Sequence, residues 1–204
     1  VVDDDAEMRL SLQGLIAALG HEVHTFASAA EFRRHYQASM AGCLVLDVHL
    51  PRQDGLSLYT QLLQEGKRLP VIFITGHADV STAVAAMKTG AIEFLEKPFL
   101  RATLEDRLRK ALAIDAQWRA QAAEIAGMEA RLSRLSDGER DTLHLLLEGQ
   151  QNKTIARRCQ ISERAVEMRR ARIMNKLDVK SVAELLNFTI TYRLLNELRQ
   201  VPRL

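Results

Sequence analysis

Thiols, prolines and aromatic rings are scarce in this chain of 204 residues, which holds two cysteines, four prolines and 5% aromatic residues. Each shortage excludes something. Cys43 and Cys159 have no local partner, so there is no disulfide framework, and the six histidines fall at no zinc-binding spacing. Both thiols read as small buried hydrophobes suited to a reducing, cytoplasmic compartment. Hydrophobic residues make up 47% of the chain, yet no run approaches the roughly 20 apolar residues of a membrane span, and no membrane association is expected. No charged-plus-apolar leader precedes the first apolar run in the sequence given, so a secretory signal is not expected in it. The chain starts inside that run without methionine, so a few residues are expected to be missing ahead of Val1. Neither a Gly-x-Gly-x-x-Gly nor a Walker sequence occurs, which leaves dinucleotide and nucleotide-triphosphate chemistry unsupported.

What is present is a set of short apolar runs, each ending on a polar group. Val1-Val2 leads to Asp3-Asp4-Asp5, Cys43–Leu46 to Asp47, Val71–Ile74 to Thr75, and Ala91–Glu96 to Lys97-Pro98. Each run reads as a buried strand. In an open α/β sheet, ligands sit outside the carboxyl ends of parallel strands, so these residues are expected to converge. Crowded carboxylates need a cation, and Mg²⁺ prefers carboxylate and carbonyl oxygens. Asp47 can then serve as a carboxylate nucleophile toward phosphorus, with Lys97 neutralising charge and Thr75 hydrogen-bonding the phosphoryl oxygens.

Residues 1 to about 110 resemble the receiver domain of two-component response regulators. The resemblance implies Mg²⁺ held by Asp3, Asp4, Asp47 and the backbone carbonyl of His49. It further implies phosphorylation of Asp47, a switch through Thr75 and Phe94, Lys97 as the family's lysine, and a cis Lys97-Pro98 bond. Asp5 lies outside the essential set. Ile-Thr-Gly-His-Ala-Asp-Val at 74–80 and Glu-Lys-Pro-Phe at 96–99 are most similar to the FixJ branch. His49 and His77 stand at positions that in the family tune hydrolysis of the phosphoryl group; a solvated loop histidine is the alternative at each. A haloacid dehalogenase-type phosphatase also phosphorylates an aspartate, but it wants a second carboxylate where this chain has His49. A phosphoacceptor rather than an enzyme is therefore expected.

Helical patterns separate the strands: Glu7–Leu19 closed by Gly20, a helix opened by the capping box Ser28-Ala29-Ala30-Glu31, Gly55–Leu63, and Val80–Thr89. With His21–Phe26 as second strand, the first part is an α/β, flavodoxin-like doubly wound domain over residues 1–110. Residues 111–135 extend the last helix into a linker. Ile114, Trp118, Gln121, Ile125, Met128, Leu132 and Leu135 recur at alternating four- and three-residue steps, the spacing of a coiled-coil seam. Either this stripe pairs with a second copy, or it packs within its own chain.

Residues 136–204 read as an all-α four-helix domain with a helix-turn-helix. Ser136–Glu139 is a capping box, Lys153–Cys159 a short helix, and Glu163–Leu177 a basic helix. Charge is unevenly divided. Residues 1–110 hold 12 basic and 14 acidic side chains, whereas residues 136–204 hold 13 basic and 9 acidic, which points to a polyanion partner for the second part. Residues 135–190 resemble the LuxR/NarL DNA-binding domain through Leu135-Ser136, Glu139, Asn152-Lys153, Ile155-Ala156, Ile161–Glu167 and Ile173–Leu177. Two departures are Arg169, where the family usually has histidine, and Gly138, where a basic residue is common.

The DNA-contacting set is expected to be Lys153, Arg164, Glu167, Met168, Arg169, Arg170, Ala171, Arg172, Asn175 and Lys176. Taken together, the resemblances imply a cytoplasmic transcriptional regulator phosphorylated by a sensor histidine kinase. They imply promoter DNA as partner, a homodimer formed through Val84–Lys88 and Glu93–Leu95 on phosphorylation, and RNA polymerase as a further contact. The alternative is a phospho-switch acting through protein contacts without DNA.

Overall fold

The computed structural model describes residues 1–76, 84 and 86–200, those at 198–200 by backbone alone. The chain divides into two compact units, one over Val1–Arg119 and one from Ala120 onward.

The first unit is built on a parallel sheet. Strands β1 (Leu44–Asp47), β2 (Val71–Thr75) and β3 (Glu93–Glu96) pair in that order. Val2 bridges in parallel to Leu46 on one side and to Phe26 on the other, giving the flavodoxin-like order 2-1-3-4-5 for the five expected strands. The His21–Phe26 run joins through Phe26, whereas His21 and Glu22 stay exposed. Successive side chains of a strand face opposite sides, and both sides are covered here. Leu44, Leu46, Val71 and Phe73 meet Phe32 of α2 (Ala29–His35) and Leu58, Tyr59 and Leu62 of α3 (Gly55–Gln64). Val45, Ile72 and Ile74 meet Leu12 and Ile16 of α1 (Ala6–Ala18) and Leu104, Leu108 and Ala111 of α4 (Arg101–Ser133). Truncating a fully buried residue such as Ile72 to alanine costs about 2–5 kcal/mol. Half of the helix expected over Val80–Thr89 lies outside the described residues; Val84 and residues 86–88 are helical.

Capping follows the sequence. Asp5 caps α1 by accepting from Glu7 N and Met8 N at 2.9 and 3.3 Å, which explains the third aspartate of its run. Ser28 accepts from Glu31 N, but the Glu31 carboxylate returns to Ala27 N, one residue before the expected donor.

Helix α4 serves both units. Its first half carries the apolar residues above, and Asp115 accepts from Gly42 N at 2.8 Å while Arg119 donates to Ser39 O at 2.9 Å. Its second half belongs to the core of the second unit, where Met128 and Leu132, with Leu135 just beyond the helix, meet Leu143, Ile173, Leu177, Leu185 and Phe188. The C-terminal half of the expected coiled-coil seam is thus spent inside its own chain. The helix is 33 residues long because it is divided between two units.

The second unit continues with α5 (Asp137–Leu147), α6 (Asn152–Cys159), α7 (Glu163–Leu177) and α8 (Val182–Gln200). The capping box at Ser136 and Glu139 is complete. Gln160 and Asp178 end α6 and α7 at φ 55° and 56°, left-handed stops, the first of which lies in the turn between the two helices. Ile155 and Val166, both fully buried, lock α6 to α7. Among the described residues no helix is long and apolar enough to cross a membrane.

Candidate functional site

Three strand ends and the turn after β3 deliver one acidic pocket. Asp3 follows Val2, Asp47 ends β1, Thr75 ends β2, and Lys97 follows β3 on the cis bond to Pro98. Lys97 Nζ donates to Asp3 Oδ2 at 2.8 Å and to Asp47 Oδ2 at 2.6 Å. The remaining oxygens are held by backbone: Asp5 N donates to Asp3 Oδ1 and His49 N to Asp47 Oδ1, at 2.9 and 2.8 Å. Asp4 is exposed, and ligand atoms of Asp3, Asp4 and Asp47 lie within 4.8 Å of one another. Such a set of hard oxygen donors fits Mg²⁺. Thr75 is fully buried, and its carbonyl accepts from Lys97 N at 2.7 Å, tying the lysine's backbone to the end of β2. Phe94, in register with Phe73, is half-buried beside the core.

Burial and the Lys97 hydrogen bonds set the electrostatics of the site. Burial raises the Asp3 carboxyl above the usual range despite the hydrogen bond from Lys97. For Lys97, burial alone would lower the ammonium, but hydrogen bonds to Asp3 and Asp47 outweigh it and hold it above the ordinary lysine value. By contrast Cys43, far from this chemistry, is pushed up to about 11 by burial and is an inert core thiol.

In the second unit, helix α7 divides by periodicity. Val166, Ile173 and Leu177 are fully buried, and Arg164, Glu167, Met168, Ala171, Arg172 and Asn175 are exposed, as is Lys153 on α6. Three expected DNA-contacting cations sit between these faces and have partners within the chain. Arg169 Nη1 donates to Gly138 O at 3.1 Å, Arg170 Nη1 to Asn152 Oδ1 at 2.7 Å, and Lys176 Nζ to Glu139 Oε2 at 2.6 Å. The last holds the Glu139 carboxyl below its usual range.

Comparison with known proteins agrees with both halves. Residues 1–109 match the response regulator receiver domain and residues 133–189 the luxR family of bacterial regulatory proteins. The chain is 39% identical over 201 residues to the transcriptional regulatory protein FixJ of Bradyrhizobium diazoefficiens, covering 97% of this chain and 96% of that one. It is 36% identical over 189 residues to the response regulator protein TodT of Pseudomonas putida, covering 93% and 83%. The chain belongs to the FixJ/NarL family of response regulators. Among solved structures, response regulator StyR matches at 39% identity with a TM-score of 0.86, covering 94% of this regulator and 96% of that chain. Full-length FixJ from B. japonicum matches at 36% identity with a TM-score of 0.57, covering 95% of each. The regulator is a transcription factor with a receiver and a LuxR-type DNA-binding domain.

Its sequence left several contributors unmarked. Arg9 Nη1 donates to the carbonyls of Asp3 and Asp4 at 2.8 and 2.9 Å, fixing the acidic turn. Gly55 opens α3 against Asp47, where an added Cβ would lie 2.2 Å from Asp47 O, so a glycine is required. Arg131 of α4 donates to Leu177 O at 3.2 Å and covers the Phe188 ring at 4.8 Å, holding the end of α7. Arg9 and Gly55 stand near the acidic runs with nothing in residue type to mark a role, and the partners of Arg131 are far away in sequence. His49 is exposed, and His77 lies outside the described residues.

Proposed function

We propose that this regulator takes a phosphoryl group from a sensor histidine kinase onto Asp47 and converts that event into promoter binding by α7. The observation that carries the reading is Lys97 bridging Asp3 and Asp47 at 2.8 and 2.6 Å, with Asp4 alongside. A carboxylate oxygen of Asp47 attacks phosphorus, an O–P bond replaces the N–P bond of a phosphohistidine, and the released electron pair returns to the imidazole. Lys97 meets charge on the transferring oxygens. His49 N orients the carboxylate. Asp3, Asp4, Asp47 and the carbonyl of His49 would hold Mg²⁺, which supplies further neutralisation of phosphoryl charge when bound. Thr75 then turns its hydroxyl to the phosphoryl group and Phe94 follows, a two-state switch biased by local charge. The face including Val84 and Met87, both about half-exposed, and Glu93 pairs with a second copy.

On DNA, the exposed face of α7 enters the major groove. Glu167 accepts from a cytosine amine, Met168 packs on a thymine methyl, and Arg164, Asn175, Arg172 and Lys153 supply the polar and phosphate contacts. Contact with RNA polymerase would follow from bound promoter. The deciding test is intact-mass spectrometry with a small phosphodonor and Mg²⁺. Wild type should gain one base-labile phosphoryl group and Asp47→Asn none; equal labelling of both proteins rejects the assignment.

A further inference from the structure

The two positions at which the second domain departs from the LuxR-type pattern touch each other. Gly138 lies in the first turn of α5 and Arg169 in the middle of α7, far apart in sequence. A Cβ built on Gly138 would stand 3.0 Å from Arg169 Cζ and Nη2 and 3.1 Å from Nη1. Nothing else comes as near. The guanidinium therefore occupies the space that a side chain at position 138 would claim. We propose that Gly138 and Arg169 form one phosphate-binding unit, in which Gly138 is the positioning residue and Arg169 delivers a cation to the first turn of α5.

Helical periodicity explains why the glycine is needed. Arg169 follows Val166 by three residues and precedes Ile173 by four, and both are fully buried, so its stem starts at the edge of the core. Its charged end must leave over a neighbouring helix, and the bare Cα of Gly138 gives it a way out. Nη1 is fixed there by Gly138 O at 3.1 Å and Thr142 Oγ1 at 3.4 Å, while the Thr142 hydroxyl donates to the same carbonyl at 2.7 Å. Among the described residues, Nε and Nη2 have no protein acceptor. The carboxylate of the same turn, Glu139, is occupied by Lys176 and Ser136 N, so it does not neutralise the guanidinium. The positive end of α5 adds to the same field. What remains is a half-buried, preorganised cation with spare donors, the requirement for a sequence-independent phosphate contact.

This unit rests on the reading that α7 contacts DNA, and its test separates the two. The full-length protein is titrated by fluorescence anisotropy, over a range of salt, with a duplex enriched from a random pool and with one scrambled duplex. Arg172→Ala is the control for the groove reading and should flatten the salt slope by about one unit on both duplexes. Arg169→Ala should do the same. Gly138→Gln and the smaller Gly138→Ala raise helix propensity, so stability should hold or rise, yet both should weaken binding several-fold and flatten the slope. In the Arg169→Ala background the same two substitutions should change affinity by less than twofold. If Arg172→Ala flattens the slope but Gly138→Gln binds as wild type, or its loss persists undiminished without Arg169, the unit is rejected while the groove reading stands. If Arg172→Ala leaves the slope unchanged, the groove reading falls and the unit with it.

Discussion

In the receiver Asp3, Asp47 and Lys97 are largely buried and bound to one another, whereas on α7 Glu167, Met168, Ala171 and Arg172 are exposed and have no such partners among the described residues. Asp3, Asp47 and Lys97 each satisfy another member of the set, and Asp3 has no solvent exposure. Glu167, Met168, Ala171 and Arg172 make no side-chain hydrogen bond among the described residues, and Met168 is 52% exposed. In the first region, changing a functional residue therefore also changes stability. In the second, function can be altered while the fold is left alone.

The largest expected break in that comparison is Asp3→Asn. Burial raises the Asp3 carboxyl, so the charged form at neutral pH is a cost that the fold bears in the absence of a metal. The sign follows: a carboxyl raised in the folded state favours folding at low pH and opposes it once pH exceeds the folded value. In metal-free buffer at pH 7, Asp3→Asn should hold or raise Tm, by a few degrees at about 4–8 °C per kcal/mol. Adding Mg²⁺ should raise the Tm of wild type and leave that of the variant unchanged. Phosphoryl labelling should fall at least about 100-fold, a loss of about 2.7 kcal/mol of transition-state stabilisation. A variant that loses Tm and keeps labelling would show that Asp3 is structural.

The sequence disclosed the two regions unequally. The acidic pocket was legible because each member ends its own apolar run, and parallel strands carry their ends to one edge whatever the intervening helices do. On α7 helical periodicity separates Val166, Ile173 and Leu177 from the exposed Arg164, Glu167, Met168 and Ala171. Partners across the tertiary fold were not legible. Arg170 and Lys176 looked like free cations because nothing local marks Asn152 or Glu139 as their acceptors. Likewise the heptad-like stripe of α4 has the same spacing whether it meets a second copy or, as Met128 and Leu132 do, its own domain.

Glu139 sharpens the comparison from the other side, since it is a buried, paired acid in the domain whose working surface is exposed. Lys176 and Ser136 N hold its carboxyl below the ordinary range. A depressed carboxyl contributes stability that is present above its unfolded value, near 4.3, and is lost as pH falls through the folded value. Glu139→Gln should cost about 1–3 kcal/mol at pH 7, because the Lys176 ammonium loses its acceptor, and the acid-side loss of stability should shrink with it. Denaturant titrations of wild type and variant from pH 7 down to pH 3 measure both. Parallel curves displaced by a constant amount would exclude the ion pair as the source.

The smallest effect on the fold should come from α7 itself. Surface changes away from caps and cores shift stability by no more than about 0.5 kcal/mol, and among the described residues neither Glu167 nor Arg172 has a partner to strand. Their effects on DNA should differ in kind. Glu167 faces outward beside Met168 and can accept from a cytosine amine, so Glu167→Ala should relax discrimination at one base pair per half-site by about 1–3 kcal/mol. Its salt slope should stay unchanged, because no phosphate contact is lost. Arg172→Ala should weaken every sequence alike and flatten the slope by about one unit. Titrations over salt with single-base variants of a selected duplex separate the two. Uniform loss for Glu167→Ala with altered base preference for Arg172→Ala would exchange the roles and turn the helix about its axis in the groove.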